Sequence, residues 1–283
     1  MRTVIVTGAG QGLGRAHAHA FAAAGHRLVL NDLSADALEA VAKELPGDVV
    51  TAPGDIADWD FAASLVDLAV TTYGRLDALV NNAGLNRDRM FTNVTEAEWD
   101  DAVRVNLKGH AAPMRHAAAY WKAQAKAGTP VAARIVNTTS GAGLLGSVGQ
   151  SNYSAAKAGV AALTLVAAAE LQRYGICVNA IAPSARTAMT EVAFADAMRA
   201  PESGFDAMAP ENVSPLVVWL ASEDAAGVTG RVFEVAGGQV SLADGWRHGP
   251  AVDAGRRWEP AELGPVVRSL IAGAAAPEAV YGG

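Results

Sequence analysis

The sequence predicts an α/β fold, a parallel sheet covered by helices on both faces. Short β-branched runs alternate with longer helical stretches along most of the chain, and such alternation is how a parallel sheet is wired. The first of these runs passes straight through a glycine-rich turn into a helix. The second ends in an acid, Asp32, about twenty residues beyond the glycines.

Arg2-Thr3-Val4-Ile5-Val6-Thr7 reads as a strand buried on both faces, over 3–7. Gly8-Ala9-Gly10-Gln11-Gly12-Leu13-Gly14 then turns the chain into a helix over about 12–24. Glycine without a Cβ permits the tight turn and lets the backbone approach a pyrophosphate, which would sit on the helix N-terminus. Strand 26–32 ends in Asn31-Asp32, followed by helix 34–45, strand 48–53 and helix 58–73. Strand 76–81 runs into Asn81-Asn82-Ala83-Gly84, and a single long helix is expected near 95–124. Strand 132–139, helix 152–173, strand 175–182, helix 210–221 and strand 230–236 complete the alternation. The segment 183–209, with Pro183, Pro201 and Gly204 and with Pro210 just after it, reads as a long loop, of the kind that forms a lid or binding loop or else is disordered. No linker interrupts residues 1–245, so they read as one domain, with 246–283 as a C-terminal extension. That extension carries Trp258 and an Ala-rich segment near 260–276, which fits a helix docked either on a neighbouring subunit or on the cleft.

Chemistry concentrates in Ser151-Asn152-Tyr153-Ser154-Ala155-Ala156-Lys157. Positions i and i+4 share a helix face, so the Lys157 ammonium can lie beside the Tyr153 phenol. A free phenol has a pKa of about 10, and a cation within a few ångströms can lower it by roughly 1–3. That is the tuning a general acid/base needs, and a depressed Tyr153 pKa is therefore expected. Asp32 bears on the dinucleotide: a carboxylate accepts hydrogen bonds from a ribose diol and repels a 2′-phosphate. Gln11, Leu33 and Ser34 bring no base to it, so NAD is favoured over NADP, with Arg15 as the one cation nearby in sequence.

Composition fits one globular enzyme: 283 residues, 51% hydrophobic, with a formal net charge of −7 that argues against a nucleic-acid partner. No uninterrupted apolar run is long enough for a bilayer, and the first strand begins at once, so neither membrane span nor signal peptide is expected. The single cysteine, Cys177, excludes an internal disulfide and a cysteine-cluster metal site. His17/His19 and His110/His116 have spacings unsuited to a shared metal and read as solvated or satisfied polar residues. A cytoplasmic location follows as the expectation.

Taken together these motifs resemble the short-chain dehydrogenase/reductases over roughly residues 1–245. Thr7-Gly8-x-x-x-Gly12-x-Gly14 looks like that family's cofactor signature, and Asn81-Asn82-Ala83-Gly84 like its second. The resemblance implies a Rossmann-type, doubly wound sheet of seven parallel strands, assembled as a homotetramer or homodimer through long paired helices. It implies a catalytic tetrad of Asn106, Ser140, Tyr153 and Lys157. Tyr153 would be the acid for ketone reduction and the base for alcohol oxidation, with Lys157 lowering its pKa and holding the nicotinamide ribose. Ser140 would orient the substrate oxygen, and Asn106 would hold a water relaying protons to Lys157. The same resemblance places Gly8, Gln11, Gly12, Leu13, Gly14, Asp32, Asp55, Ile56, Asn82, Ala83, Gly84, Pro183 and Thr187 around the cofactor, together with Tyr153 and Lys157. Asp55 would contact the adenine ring.

Below family level, Asn81-Asn82-Ala83-Gly84-Leu85-Asn86-Arg87-Asp88-Arg89-Met90 is similar to the dehydrogenase domain of multifunctional β-oxidation enzymes. So are Gly149-Gln150-Ser151-Asn152-Tyr153, the run Ile181–Thr190, and Phe233-Glu234-Val235-Ala236-Gly237-Gly238 with Trp246 after it. Such enzymes oxidise 3-hydroxyacyl-CoA or steroid alcohols with NAD. Two departures stand out: that branch often has His where this chain has Asn106, and residues 191–209 are short, so its substrate lid does not carry over. The resemblance implies an NAD-dependent oxidoreductase for a 3-hydroxyacyl thioester or a bulky hydrophobic alcohol. An NADPH-dependent biosynthetic ketoreductase and a non-catalytic dinucleotide sensor are the alternatives. Arg87, Arg89 and Arg186 could line the cleft mouth for the phosphates of a CoA thioester, with Arg247, Arg256 and Arg257 as further candidates; pairing with carboxylates such as Asp88, Glu191 and Asp253 is the simpler expectation. Met189 and Met198 flank the lid segment, where flexible apolar side chains could meet a hydrophobic substrate.

Overall fold

The computed structural model of the chain describes residues 1–187 and 199–281. Seven parallel strands form the sheet: β1 (Thr3–Thr7), β2 (Arg27–Asp32), β3 (Val49–Pro53), β4 (Ala78–Asn81), β5 (Ala133–Thr138), β6 (Ile176–Ser184) and β7 (Val232–Ala236). An eighth, β8 (Gln239–Leu242), joins them antiparallel to β7, giving the order β3-β2-β1-β4-β5-β6-β7-β8. The sheet is thus one strand larger than expected. Its extra strand turns back on Gly237, whose φ of +54° lies in the left-handed region that favours glycine. All four β8 residues are exposed, and the alternation in Gln239-Val240-Ser241-Leu242 is too short to mark a strand in the sequence.

Successive residues of β1 feed opposite faces, as the period of two requires. Val4 and Val6 pack with Phe21 of α1 (Gly12–Ala23), Leu38 and Val41 of α2 (Ala35–Glu44), and Val217 and Leu220. Ile5, between them, faces Leu65 and Val66 of α3 (Trp59–Tyr73), Trp121 and Ala167. The doubly wound core is therefore two apolar layers separated by one sheet. Helix starts are capped as their sequences dictate. Ser34 accepts from the Ala37 amide at 3.2 Å, and Asp58 from the Phe61 amide at 2.8 Å. Thr95 and Glu98 form a reciprocal capping box at the start of α4 (Glu96–Val103).

The long helix expected over 95–124 is broken. After α4 comes a π-helical turn, Arg104–Lys108, before α5 (Gly109–Lys126). Two side-chain features accompany the break. The Asn106 amide donates to the Ala102 carbonyl at 2.9 Å and to the Leu85 carbonyl at 2.8 Å. Pro113 has no N–H to return to the carbonyl four residues back. A five-residue helix, α6 (Gly141–Leu145), also follows β5 where no element was expected. Helix α7 (Ser151–Leu171) carries Tyr153 and Lys157; with the turn through Tyr174 it is apolar and long enough to cross a membrane by length and composition. Here it packs against β6 and α6, as a core helix does. Helices α8 (Ser214–Leu220) and α9 (Pro260–Gly273) complete the described elements.

Candidate active site

The strand order reverses between β1 and β4, and the cleft opens at the carboxyl ends of the strands there. A crevice outside a parallel sheet at such a point is where ligands bind. The cavity has a volume of about 460 Å³. Of the residues expected around a cofactor, Gly8, Gln11, Gly12, Leu13, Asp32, Asp55, Ile56, Asn82, Ala83, Gly84, Pro183 and Thr187 line it, as do Ser140, Tyr153 and Lys157. Gly14 and Asn106 stand behind the lining and shape it.

The dinucleotide end is built from glycine geometry. Gly8 and Gly12 have φ of +64° and +52°. A Cβ on Gly14 would lie 2.0 Å from the Gly8 carbonyl oxygen, so only glycine lets the helix start this close to the strand end. Thr7 locks the turn to β4: its hydroxyl accepts from the Asn82 and Ala83 amides at 2.9 and 3.1 Å. The Asn82 side chain returns the contact, donating to the Thr7 carbonyl at 3.1 Å. At the end of β2 the Asp32 carboxylate accepts from the Gly10 amide at 3.0 Å and the Ser34 amide at 3.2 Å. Arg15 is held elsewhere, on Glu44 at 2.6 Å, where His19 joins it at 2.9 Å. A narrow glycine cradle ending in an oriented carboxylate fits the pyrophosphate and ribose of a nicotinamide dinucleotide. Asp55 is less free than expected, because Arg104 of the π-turn is bonded to it. Burial works to raise the Asp55 pKa, but the Ala57 amide and Arg104 outweigh it and hold the carboxyl below its ordinary value.

The reacting end is made by β5, α6 and α7. Ser140 caps α6, its side chain accepting from the Ala142 amide at 3.2 Å, and it hydrogen-bonds Tyr153. Lys157 is 2% exposed; its Nζ donates to the Thr138 carbonyl at 2.8 Å and lies 5.7 Å from the centre of the Tyr153 ring. These contacts bring Ser140, Tyr153 and Lys157 together as expected. Their electrostatics differ from expectation. Burial pushes the Tyr153 phenol up to about 12, opposed only in part by the Ser140 hydrogen bond. Burial also pushes the Lys157 ammonium down to about 7. The lysine is itself desolvated, so it does not act on the phenol as a full fixed cation at neutral pH.

Asn106 is fully buried, on neither a solvated face nor the cleft wall. Besides its two donations, its Oδ1 accepts from the Leu85 amide at 3.1 Å, so the side chain clamps the loop after β4. A Cβ on Gly84 would lie 2.7 Å from that same oxygen and 3.5 Å from Lys157 Nζ.

Other residues of the site were missed in the sequence. The Asn152 amide donates to the Arg87 and Glu98 carbonyls at 3.0 and 3.1 Å, while its Oδ1 accepts from the Tyr153 amide at 2.8 Å. It thereby sets the start of α7 against the loop after β4. Beneath the site, Asn81 donates to Asn137 and Asn137 to Thr164, each at 2.9 Å. Of the histidines read as solvated or satisfied, His17 and His110 are buried. His17 is buried against the Ser214 hydroxyl at 2.9 Å. His110 is buried, and burial, with Lys157 nearby, holds its pKa well below the ordinary value.

The arginines at the mouth are paired, the simpler of the two expectations, but with other carboxylates than Asp88, Glu191 and Asp253. Arg87 pairs with Asp101 at 3.2 Å, Arg89 with Glu98 at 2.8 Å, and Arg186 with Asp206. Arg247 pairs with Asp244, and Arg256 with Glu262 at 2.6 Å. Met189, Met198 and Glu191 lie outside the described residues.

Comparison with known proteins agrees with this geometry. The family described as short chain dehydrogenase matches residues 2–197. The chain is 44% identical over 283 aligned residues to the hydroxyacyl-CoA dehydrogenase ChsB1 of Mycobacterium tuberculosis, covering 96% of this chain and 89% of that one. It is 37% identical over 276 residues to the peroxisomal multifunctional enzyme type 2 of Mus musculus, covering 94% of this chain and 34% of that protein. The crystal structure of a short chain dehydrogenase from Mycobacterium avium superposes with a TM-score of 0.91 at 56% identity, over 100% of this chain and 98% of that one. With its glycine cradle, its Ser140–Tyr153–Lys157 cluster and this match over most of its length, the chain belongs to the short-chain dehydrogenase family, oxidoreductases that act on hydroxyl groups with a nicotinamide dinucleotide.

Proposed function

We propose that the protein interconverts a secondary alcohol and its ketone with NAD, on a 3-hydroxyacyl thioester or a comparably bulky hydrophobic alcohol. The observation that carries the cofactor choice is Asp32, whose carboxylate is held at the glycine turn while the nearest candidate cation, Arg15, is bonded to Glu44. A 2′-phosphate brought there would meet a negative charge. The acyl class is supported by similarity to the hydroxyacyl-CoA dehydrogenase ChsB1. The paired arginines contribute no free cation to CoA recognition.

In the reductive direction Tyr153 gives its proton to the carbonyl oxygen, while Ser140 donates to the same oxygen and holds it in line. In the oxidative direction the Tyr153 oxygen takes the hydroxyl proton. The nicotinamide, when bound, supplies or accepts the hydride at the carbinol carbon. Lys157 holds the nicotinamide ribose, and Asn106, through the loop after β4, keeps Gly84 close to Lys157. A homotetramer or homodimer and a cytoplasmic location complete the proposal. Light scattering after size exclusion tests the first of these, and cell fractionation the second.

The decisive test is initial rates with NAD and NADP on 3-hydroxyacyl-CoAs, hydroxysteroids and simple secondary alcohols. NAD-linked turnover is expected to fall about 10²–10⁴-fold in Tyr153→Phe, the span of general acid–base catalysis. Asp32→Ser is expected to narrow the preference for NAD. A wild-type preference for NADP would move the protein to biosynthetic ketone reduction.

A further inference from the structure

The last described residues return to the stretch that follows Ser140. Tyr281 forms a parallel bridge with Ser147: the Tyr281 carbonyl accepts from the Val148 amide at 2.9 Å, and its amide donates to the Gly146 carbonyl at 3.2 Å. Its phenol oxygen lies 2.6 Å from where a Cβ on Gly141 would be, one residue past Ser140. Val280 lies beside it, its Cγ1 at 3.1 Å from a Cβ placed on Gly146. The strap is apolar on its open side, where Val148, Val280 and Tyr281 are 46%, 45% and 44% exposed.

Two features of the glycines show that the chain makes room for this strap. Gly146 has a φ of +85°, which lets the stretch bend towards residue 281. Gly141 lacks the one carbon that would push the Tyr281 ring away. Gly141 opens the helix whose N-cap is Ser140 and Gly146 closes it, so the Tyr281 ring stands against the residue next to Ser140 in the chain.

We infer that Tyr281 is a specificity-determining residue: its ring, held against Gly141 by the 146–148 bridge, walls the space taken by the apolar chain or ring system next to the carbinol carbon. This rests on the alcohol dehydrogenase reading above. The wall acts by shape, so the ring matters and the hydroxyl does not.

The test compares kcat/KM for 3-hydroxybutyryl-CoA and 3-hydroxypalmitoyl-CoA in the wild type, Tyr281→Ala, Tyr281→Phe and Gly141→Ala. Tyr281→Ala and Gly141→Ala are expected to change the long-to-short ratio about tenfold in the same direction, the scale of a reshaped apolar pocket. Tyr281→Phe is expected to keep the wild-type ratio. An unchanged ratio in an active Tyr281→Ala enzyme overturns the assignment and leaves the dehydrogenase reading intact. Hydrogen exchange at the Val148 and Tyr281 amides is measured alongside, with NAD alone and with NAD plus 3-oxopalmitoyl-CoA. Slower exchange on adding the acyl probe is expected. If the wild type turns over neither substrate with NAD or NADP, the acyl reading of function falls. Exchange then decides the wall by itself: slowing supports it, and no change overturns it.

Discussion

At the scale of single residues, the pair four apart on α7 is set by burial more than by mutual attraction. A phenol at about 12 is fully protonated at neutral pH and ready to act as an acid, whereas the base form is scarce. The fraction of phenolate grows tenfold per pH step below the pKa. Alcohol oxidation is therefore expected to climb with pH from 7 to at least 9.5 with a slope near one, while ketone reduction stays flat; parallel pH–rate profiles of kcat/KM check this. Lys157 gives a second prediction, in stability. Its folded pKa of about 7 lies below the ordinary value of 10.5, so between these pH values the unfolded chain binds more protons and stability rises with pH. Wild type is expected to gain on the order of 3 kcal/mol over Lys157→Met between pH 7 and 9.5, read from urea unfolding at each pH. The sequence placed Tyr153 and Lys157 side by side, because i to i+4 spacing is local. It could not reveal the direction of their shifts, because burial depends on α6, β5 and the loop after β4 closing over them. The arginines' partners were hidden for the same reason: Arg104 and Asp55, or Arg186 and Asp206, meet only once distant elements pack.

At the scale of elements, strands and helices were readable where composition and period agreed. β-Branched runs located all seven parallel strands to within a few residues, and Ser34, Asp58 and Thr95 stand as side-chain caps at three helix starts. The misses share a cause. The π-turn at 104–108 depends on Asn106 reaching Leu85 and on Pro113, and α6 depends on Ser140 as a cap. Neither leaves a periodic trace in so few residues. The glycine turn gives the sharpest prediction at this scale. Gly14→Ala would force a carbon to within 2.0 Å of the Gly8 carbonyl. It is expected to lose about 1–3 kcal/mol of stability, or more, through overpacking. Isothermal titration should also find weaker NAD binding, because the turn must open to accept the methyl.

At the scale of the whole molecule, the cofactor cleft lies on the seam between β1 and β4, and its walls come from both sides of that seam. A ligand there binds only the folded arrangement. NAD at about a hundred times its Kd is expected to stabilise the protein by about 2.7 kcal/mol, raising Tm by several degrees in differential scanning fluorimetry. NADP at the same concentration is expected to do less. The fold and the dinucleotide end were legible in the sequence because their signals are glycines, acids and strand ends in fixed order. The substrate end was not, because its candidate wall comes from residue 281, some 140 positions after the Gly141 it lies against.

The order of the strands also bears on how the chain is made. On the ribosome β1, β2 and β3 emerge first and can pair among themselves, but the other edge of β1 waits for β4. Roughly seventy residues must be added before Ala78, Leu79 and Val80 can cover Val4, Ile5 and Val6. During that interval a short, wholly apolar strand edge stands open, the kind of surface that invites pairing with another nascent chain. Translation pauses within residues 33–77 would prolong that exposure, whereas pauses after 82 would find the edge sealed by β4 and clasped by Asn82.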